Sequence, residues 1–258
     1  MSPGLYVGLL ATAAFAGAVD AMVGGGGLIQ VPALFTALPA ASPATVLATS
    51  KLAGLSGTLS AAARYIRAVR VPWRCVGPAI GAAFLAALLG AASVTHVSAA
   101  FFRPLVPVML GAVLVYTLIR KDLGATHAPH ALDRRRLAVG TSLAALVGFY
   151  DGFFGPGAGS FLMLLFIRCY GFDFVHAAAA ARIVNVATNA TALLWFAAHG
   201  SVLWALGLPM ALANVAGAQV GTRLALRGGA RFVRVAFAAV VAALIVKTGW
   251  DAFPAGGG

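Results

Sequence analysis

Two carboxylates and two cations stand where a chain this apolar should not carry charge. The sequence has six acidic residues, all Asp, and two of them, Asp20 and Asp151, lie within apolar runs four residues before a glycine-rich stretch. Intramembrane carboxylates serve as proton relays or ion ligands. The alternative is a structural ion pair with the second unusual couple, Lys51 and Arg182. Each cation is flanked by small residues, in Ala48-Thr49-Ser50-Lys51 and in Ala180-Ala181-Arg182. A cation at the bilayer centre costs roughly 2.5–3.5 kcal/mol even on the lenient insertion scale. An anionic substrate or the two aspartates would compensate it, and snorkelling from a helix end is the plainer reading.

The glycine-rich stretches are Gly24-Gly25-Gly26-Gly27 and Gly155-Pro156-Gly157-Ala158-Gly159. A helix interrupted at membrane depth exposes backbone polar groups, which is tolerable only inside protein or beside a watery cavity. A half-helix that starts after the interruption offers free N–H groups and the positive end of its dipole to an anion. Paired Gly/Pro interruptions in corresponding places of two halves point to a transporter site. Close helix packing by small residues is the competing explanation. Polar side chains on the neighbouring segments supply further donors: Gln30, Thr49, Ser50, Ser56, Thr58, Ser160, Asn185, Thr188, Asn189, Asn214 and Gln219. Those nearest the glycines are the best placed for substrate. The candidate substrate site is therefore Gly24, Gly25, Gly26, Gly27, Lys51, Gly155, Gly157, Gly159, Ser160, Arg182 and Asn185. Asp20 and Asp151 are its proton-coupling or ion-pair partners.

The elements that must position these residues are duplicated. At an offset of 131, Gly17 falls on Gly148, Asp20 on Asp151, Gly24 on Gly155, Lys51 on Arg182, Trp73 on Trp204, Pro78 on Pro209 and Arg103 on Arg234. Matches at Asp, Trp, Pro and Arg in one register mark an internal repeat. Each half has a first helix (5–23 and 137–154), a glycine break, and a short apolar segment (28–38 and 160–170). A long helix follows (43–66 and 174–198), then two spanning helices. The expected organisation is a first transmembrane repeat over 1–120, a basic cytoplasmic linker over 121–136 and a second repeat over 137–258. Segment 64–74 holds four Arg and its counterpart 195–205 none, while 223–234 holds four and its counterpart 92–103 one. Equivalent loops with opposite charge bias imply halves of inverted topology, with a cytoplasmic linker and both termini outside. A parallel repeat with re-entrant short segments is the alternative.

Composition agrees with a helical membrane protein. Apolar residues make up 61% of the chain and charged residues 9%, against about 25% charged in a soluble domain. The runs 73–94, 97–119, 202–224 and 232–250 have the length that crosses the hydrocarbon core. Residues 1–10 lack a basic residue ahead of the apolar run and read as a first membrane helix rather than a signal peptide. The net charge of +12 gathers in 64–74, 120–136 and 223–234, as cytoplasmic loops would have it, which points away from nucleic acid. Cys75 and Cys169 show neither pair nor metal spacing. No metal, nucleophile or phosphate-loop motif occurs, so neither catalysis nor a cofactor is expected. Arg103 and Arg234 start the last spans, where a structural or lipid-facing role is expected.

Gly17-x-x-Asp20-x-x-x-Gly24-Gly25-Gly26, Val31-Pro32 and Ala48-Thr49-Ser50-Lys51-Leu52 resemble the TauE/SafE sulfite-exporter family of bacterial membrane proteins. So do Asp151-Gly152-Phe153-Phe154-Gly155-Pro156-Gly157, Ala181-Arg182-Ile183-Val184-Asn185 and Gly217-Ala218-Gln219-Val220-Gly221-Thr222-Arg223 in the second half. The resemblance covers essentially the whole chain and is nearer the family's less characterised branch, in which the second-half cation is typically Lys. Arg182 departs from that pattern, and a guanidinium favours bidentate oxyanion contacts over a point charge. The resemblance implies a multi-pass secondary transporter of the bacterial inner membrane, moving sulfite, an organosulfonate or a related anion. Export by alternating access, protons as coupling ion and a homodimeric assembly are the accompanying expectations. A passive anion channel and a non-transporting membrane assembly protein are the alternatives.

Overall fold

The computed structural model describes residues 1–94 and 127–252. Eight helical stretches are described, the last of them two helices joined at a kink, and no strand occurs among the described residues. The first half holds α1 (Pro3–Val23), α2 (Gly26–Ala37), α3 (Pro43–Ala68) and α4 (Trp73–Val94). The second holds α5 (Arg134–Phe153), α6 (Ala158–Tyr170), α7 (Phe174–Ala198) and α8 (Trp204–Ala252). Three of them, α1, α4 and α7, are long and apolar enough to cross a membrane. The expected span 97–119 and Arg103 lie outside the described residues.

Local sequence chemistry sets the boundaries. Ser2 and Ser42 cap α1 and α3 through their hydroxyls, each followed by a proline that enters the first turn without needing its missing N–H. Asp133 and Asp173 cap α5 and α7 through their carboxylates, which accept the Arg136 and His176 N–H groups. Gly24, at φ +84°, ends α1 and returns its N–H to the Asp20 carbonyl. The short helices α2 and α6 have 12 and 13 residues. At 1.5 Å per residue they reach about 18–20 Å, well short of the roughly 30 Å hydrocarbon core.

The repeat is visible in the elements: α3 and α7, and α4 and α8, begin at equivalent residues. Packing follows the same equivalence. The first helix of each half lies against the fourth of the other, α1 on α8 and α5 on α4. In the same crosswise manner α3 packs on α8 and α7 on α4, while α3 and α7 meet each other. The halves therefore share one intertwined core rather than two separate ones, an arrangement consistent with inverted repeats. Gly221 faces the Ala18 carbonyl and its equivalent Gly90 faces the Phe149 carbonyl, so closely that neither site has room for a Cβ. Small residues bring these helix pairs together, as membrane helix packing requires. The outer faces carry Leu85, Leu89, Leu146, Leu194 and Leu212, all well exposed, as lipid contact demands.

The division expected within 223–234 is found, and it is tighter than a loop: helix runs on either side of Gly229, which leaves the helical region at φ 66° and ψ −168°. A residue without a Cβ adopts that conformation at little cost, so α8 is two helices joined at a one-residue kink. In the stretch assigned to the linker, α5 already begins at Arg134.

Candidate functional site

The two glycine breaks cross each other at the centre of the protein. Gly24 packs against the backbone of Gly159 and Ser160, and a Cβ on Gly27 would lie 3.1 Å from the Pro156 Cα. Ser160 Oγ donates to the Val23 carbonyl at 2.8 Å, and Tyr150 Oη donates to the Pro156 carbonyl at 2.6 Å. These bonds satisfy backbone oxygens that the helix ends leave open.

Around this crossing stand both ion pairs, each made between halves. Lys51 Nζ on α3 lies 2.5 Å from Asp151 Oδ1 on α5. Arg182 Nη1 on α7 lies 3.0 Å from Asp20 Oδ2 on α1 and also donates to the Asp20 carbonyl. The side chains of Lys51, Asp151 and Arg182 are 7%, 2% and 0% exposed. Burial at that level is tolerable for charges only when they are paired and further hydrogen-bonded. Thr188 Oγ1 and Asn185 Nδ2 accordingly donate to Asp151 Oδ2. Thr58 Oγ1 donates to Asp20 Oδ2 at 3.0 Å, and the Gly26 N–H to Asp20 Oδ1 at 3.3 Å. Two aspartates, one lysine and one arginine sum to zero formal charge. Snorkelling is excluded for both cations by this burial.

Beside the tetrad lies a cavity of about 50 Å³. Asp20, Gly26, Gly27 and Gln30 line it from α1 and α2, and Leu47, Ser50, Lys51, Gly54 and Thr58 from α3. The other half contributes Phe154 and Gly155 from the second break, Asn185 and Asn189 from α7, and Asn214 from α8. A lattice of amides runs along the wall. Gln30 Nε2 donates to the Ser50 carbonyl at 3.0 Å and to Ser50 Oγ at 3.1 Å, while Asn214 Nδ2 donates to Gln30 Oε1 at 3.0 Å. Asn189 Nδ2 donates to the Asn185 carbonyl at 2.8 Å.

Of the candidate residues, Asp20, Gly26, Gly27, Lys51, Gly155 and Asn185 line the cavity. Gly24, Gly25, Gly157, Gly159, Ser160, Asp151 and Arg182 are not among its lining residues. Gly24, Gly159 and Ser160 form the crossing itself, and Arg182 lies behind it, with Nη2 against Gly24 and Gly159. Arg182 Nε and Nη2 have no hydrogen-bond partner. The lining amides Gln30, Asn189 and Asn214 and the hydroxyls of Ser50 and Thr58 were legible only as polar residues on apolar helices. Their convergence is a tertiary fact.

The family model described as sulfite exporter TauE/SafE matches residues 9–248. The chain belongs to this family. Escherichia coli (strain K12) has a relative described as probable membrane transporter protein YfcA, 36% identical over 255 residues, covering 97% of this chain and 92% of the relative. A probable membrane transporter protein of Haemophilus influenzae is 32% identical over 240 residues, covering 91% and 92%. The ORF9 probable membrane transporter protein of Sinorhizobium sp is 35% identical over 240 residues, covering 93% and 90%. No solved structure matches the chain.

Proposed function

We propose that this TauE/SafE protein is a secondary transporter of the bacterial inner membrane, exporting sulfite or a small organosulfonate by alternating access. The observation that carries this reading is the donor-rich cavity beside a buried, charge-neutral tetrad at the crossing of two glycine breaks. Lys51 has three donors and spends one on Asp151. Asn185 and Asn214 each spend one amide hydrogen inside the protein and keep the second, so the wall has donors left to offer. That is the chemistry of an oxyanion site. Since roughly 10–15 Å³ of such space holds one water, the cavity has room for about three to five, which suits an anion of sulfite size. A longer organosulfonate requires the site to widen.

Neutrality of the tetrad gives the coupling. An entering anion adds a negative charge that Lys51 can meet only by loosening from Asp151. A proton taken up by Asp151 or Asp20 restores the balance, so anion and proton move together. The basic segments face the cytoplasm, and rocking of the crosswise-packed halves alternates access.

The test is flux of labelled sulfite and short organosulfonates in proteoliposomes, with and without an imposed pH gradient. Saturable flux driven by the gradient, and lost in Lys51→Ala, is the expected result. Ohmic, non-saturating flux would assign a channel instead. Wild-type flux in Lys51→Ala would remove the site.

A further inference from the structure

Away from the central cavity, the fold brings a residue distant in sequence, His127, against the local pair Asp173 and His176. His127, Asp173 and His176 each present a ligand atom, and these atoms lie within 4.8 Å of one another. Asp173 caps α7, and His176 stands in its first turn. His127 precedes a stretch of chain that docks on the α6–α7 turn through Ala128 N to the Gly171 carbonyl and His130 N to the Tyr170 carbonyl, both 3.0 Å.

Helix capping does not explain these residue types. The equivalent cap in the first half is Ser42 with Thr45, where the Ser42 hydroxyl accepts the Thr45 N–H at 3.2 Å. Asp173 makes the same bond to the His176 N–H at 2.8 Å. The second half meets the same need with a carboxylate and an imidazole, and adds a third group from the chain ahead of α5. Both Nδ1 atoms face Asp173: that of His176 lies 2.8 Å from Asp173 Oδ1, and that of His127 accepts the Asp173 N–H at 3.4 Å. The two rings stack at 3.8 Å between centroids, so their nitrogens lie side by side.

We infer that His127, Asp173 and His176 form a binding site for a borderline divalent transition-metal ion, Zn²⁺ being the best fit. Two imidazoles and one carboxylate suit Zn²⁺ and its neighbours, with water in the open fourth position. For bonds of about 2.0–2.1 Å the ligand atoms close to about 3.3 Å of each other, by opening the stacked rings. An ion here replaces the long bond from the Asp173 N–H to His127, while Asp173 Oδ1 keeps its cap bond and Oδ2 coordinates. It ties the segment at 127 to the first turn of α7, six residues and about 9 Å along that helix from Arg182.

The test titrates the full-length protein, carrying no polyhistidine tag and stripped with chelator, with Zn²⁺ alone by calorimetry. Co²⁺ substitution follows by visible absorption. One equivalent per chain is expected, with affinity at least tenfold lower in His127→Ala and in His176→Ala and unchanged in His199→Ala. Asp173→Asn keeps the cap, since Asn caps as well as Asp, and lowers the affinity without loss of folded protein. No saturable Zn²⁺ binding by the wild-type protein overturns the site. Equal affinity in wild type, Asp173→Asn and His127→Ala/His176→Ala overturns it as well.

Discussion

Lys51 Nζ on α3 reaches across the repeat boundary to Asp151 Oδ1 at 2.5 Å, and the equivalent cation Arg182 makes the reciprocal reach to Asp20 at 3.0 Å. The Lys51–Asp151 pair is buried on both sides, so removing one partner strands an uncompensated charge, at a cost of about 3–5 kcal/mol, whereas removing both does not. Lys51→Ala and Asp151→Ala should each lower thermal stability in detergent, and the double variant should recover most of that loss. Transport should stay absent in all three. Additive losses in the double variant would show that the two groups do not stabilise each other.

Gly155 sits at φ +98°, and a Cβ there would lie 2.9 Å from Lys51 Nζ and 3.0 Å from Asp151 Oδ1. Gly155→Ala thus combines backbone strain with intrusion into an ion pair. The expected result is loss of transport with reduced folded yield. Gly8→Ala is the control, because nothing lies within 4 Å of a Cβ at that position. It should behave as wild type in flux and in thermal unfolding.

Gly54 lines the cavity, yet a Cβ on it meets nothing within 4 Å. A side chain added there grows into the space proposed for substrate and leaves the helix packing intact. Gly54→Ala should fold normally and raise the KM for sulfite several-fold, and Gly54→Leu should abolish flux while retaining wild-type thermal stability. Unaltered kinetics in Gly54→Leu would place the substrate elsewhere.

Much of the fold was legible because the duplication supplies two readings of each element. Pro43 after Ser42 and Phe174 after Asp173 mark the same helix start twice, and both are found. The break expected within 223–234 falls at Gly229, where one glycine outside the helical region separates two helices and no longer loop is needed. Sequence equivalence matched Lys51 with Arg182 but did not show which carboxylate each meets. Those partners lie 100 and 162 positions away. The amide lattice was hidden in the same way, since Gln30 and Asn214 are 184 positions apart. The metal cluster is likewise a product of folding, with 46 positions between His127 and Asp173.

The halves match in helix order and in their paired Asp and cation positions but not in the chemistry of the cavity wall. Gln30, Ser50 and Asn214 form the amide lattice on one side, and their equivalents at the offset of 131 are Phe161, Ala181 and Ala83. The polar set lines the cavity and its apolar counterparts do not, so the proposed anion would have a single preferred seat. Gln30→Leu removes the lattice's central member, leaving Asn214 Nδ2 and the Ser50 carbonyl without their partner in a buried place, a loss of about 1–3 kcal/mol. That loss is one of stability, and sulfite flux should fall as well, because the wall proposed to seat the anion loses its central polar member. Phe161→Leu, an apolar exchange at the mirror position, should leave kcat/KM within a few-fold of wild type. Comparable losses in the two variants would show that both sides contact the anion, and the site would then be as symmetric as the fold.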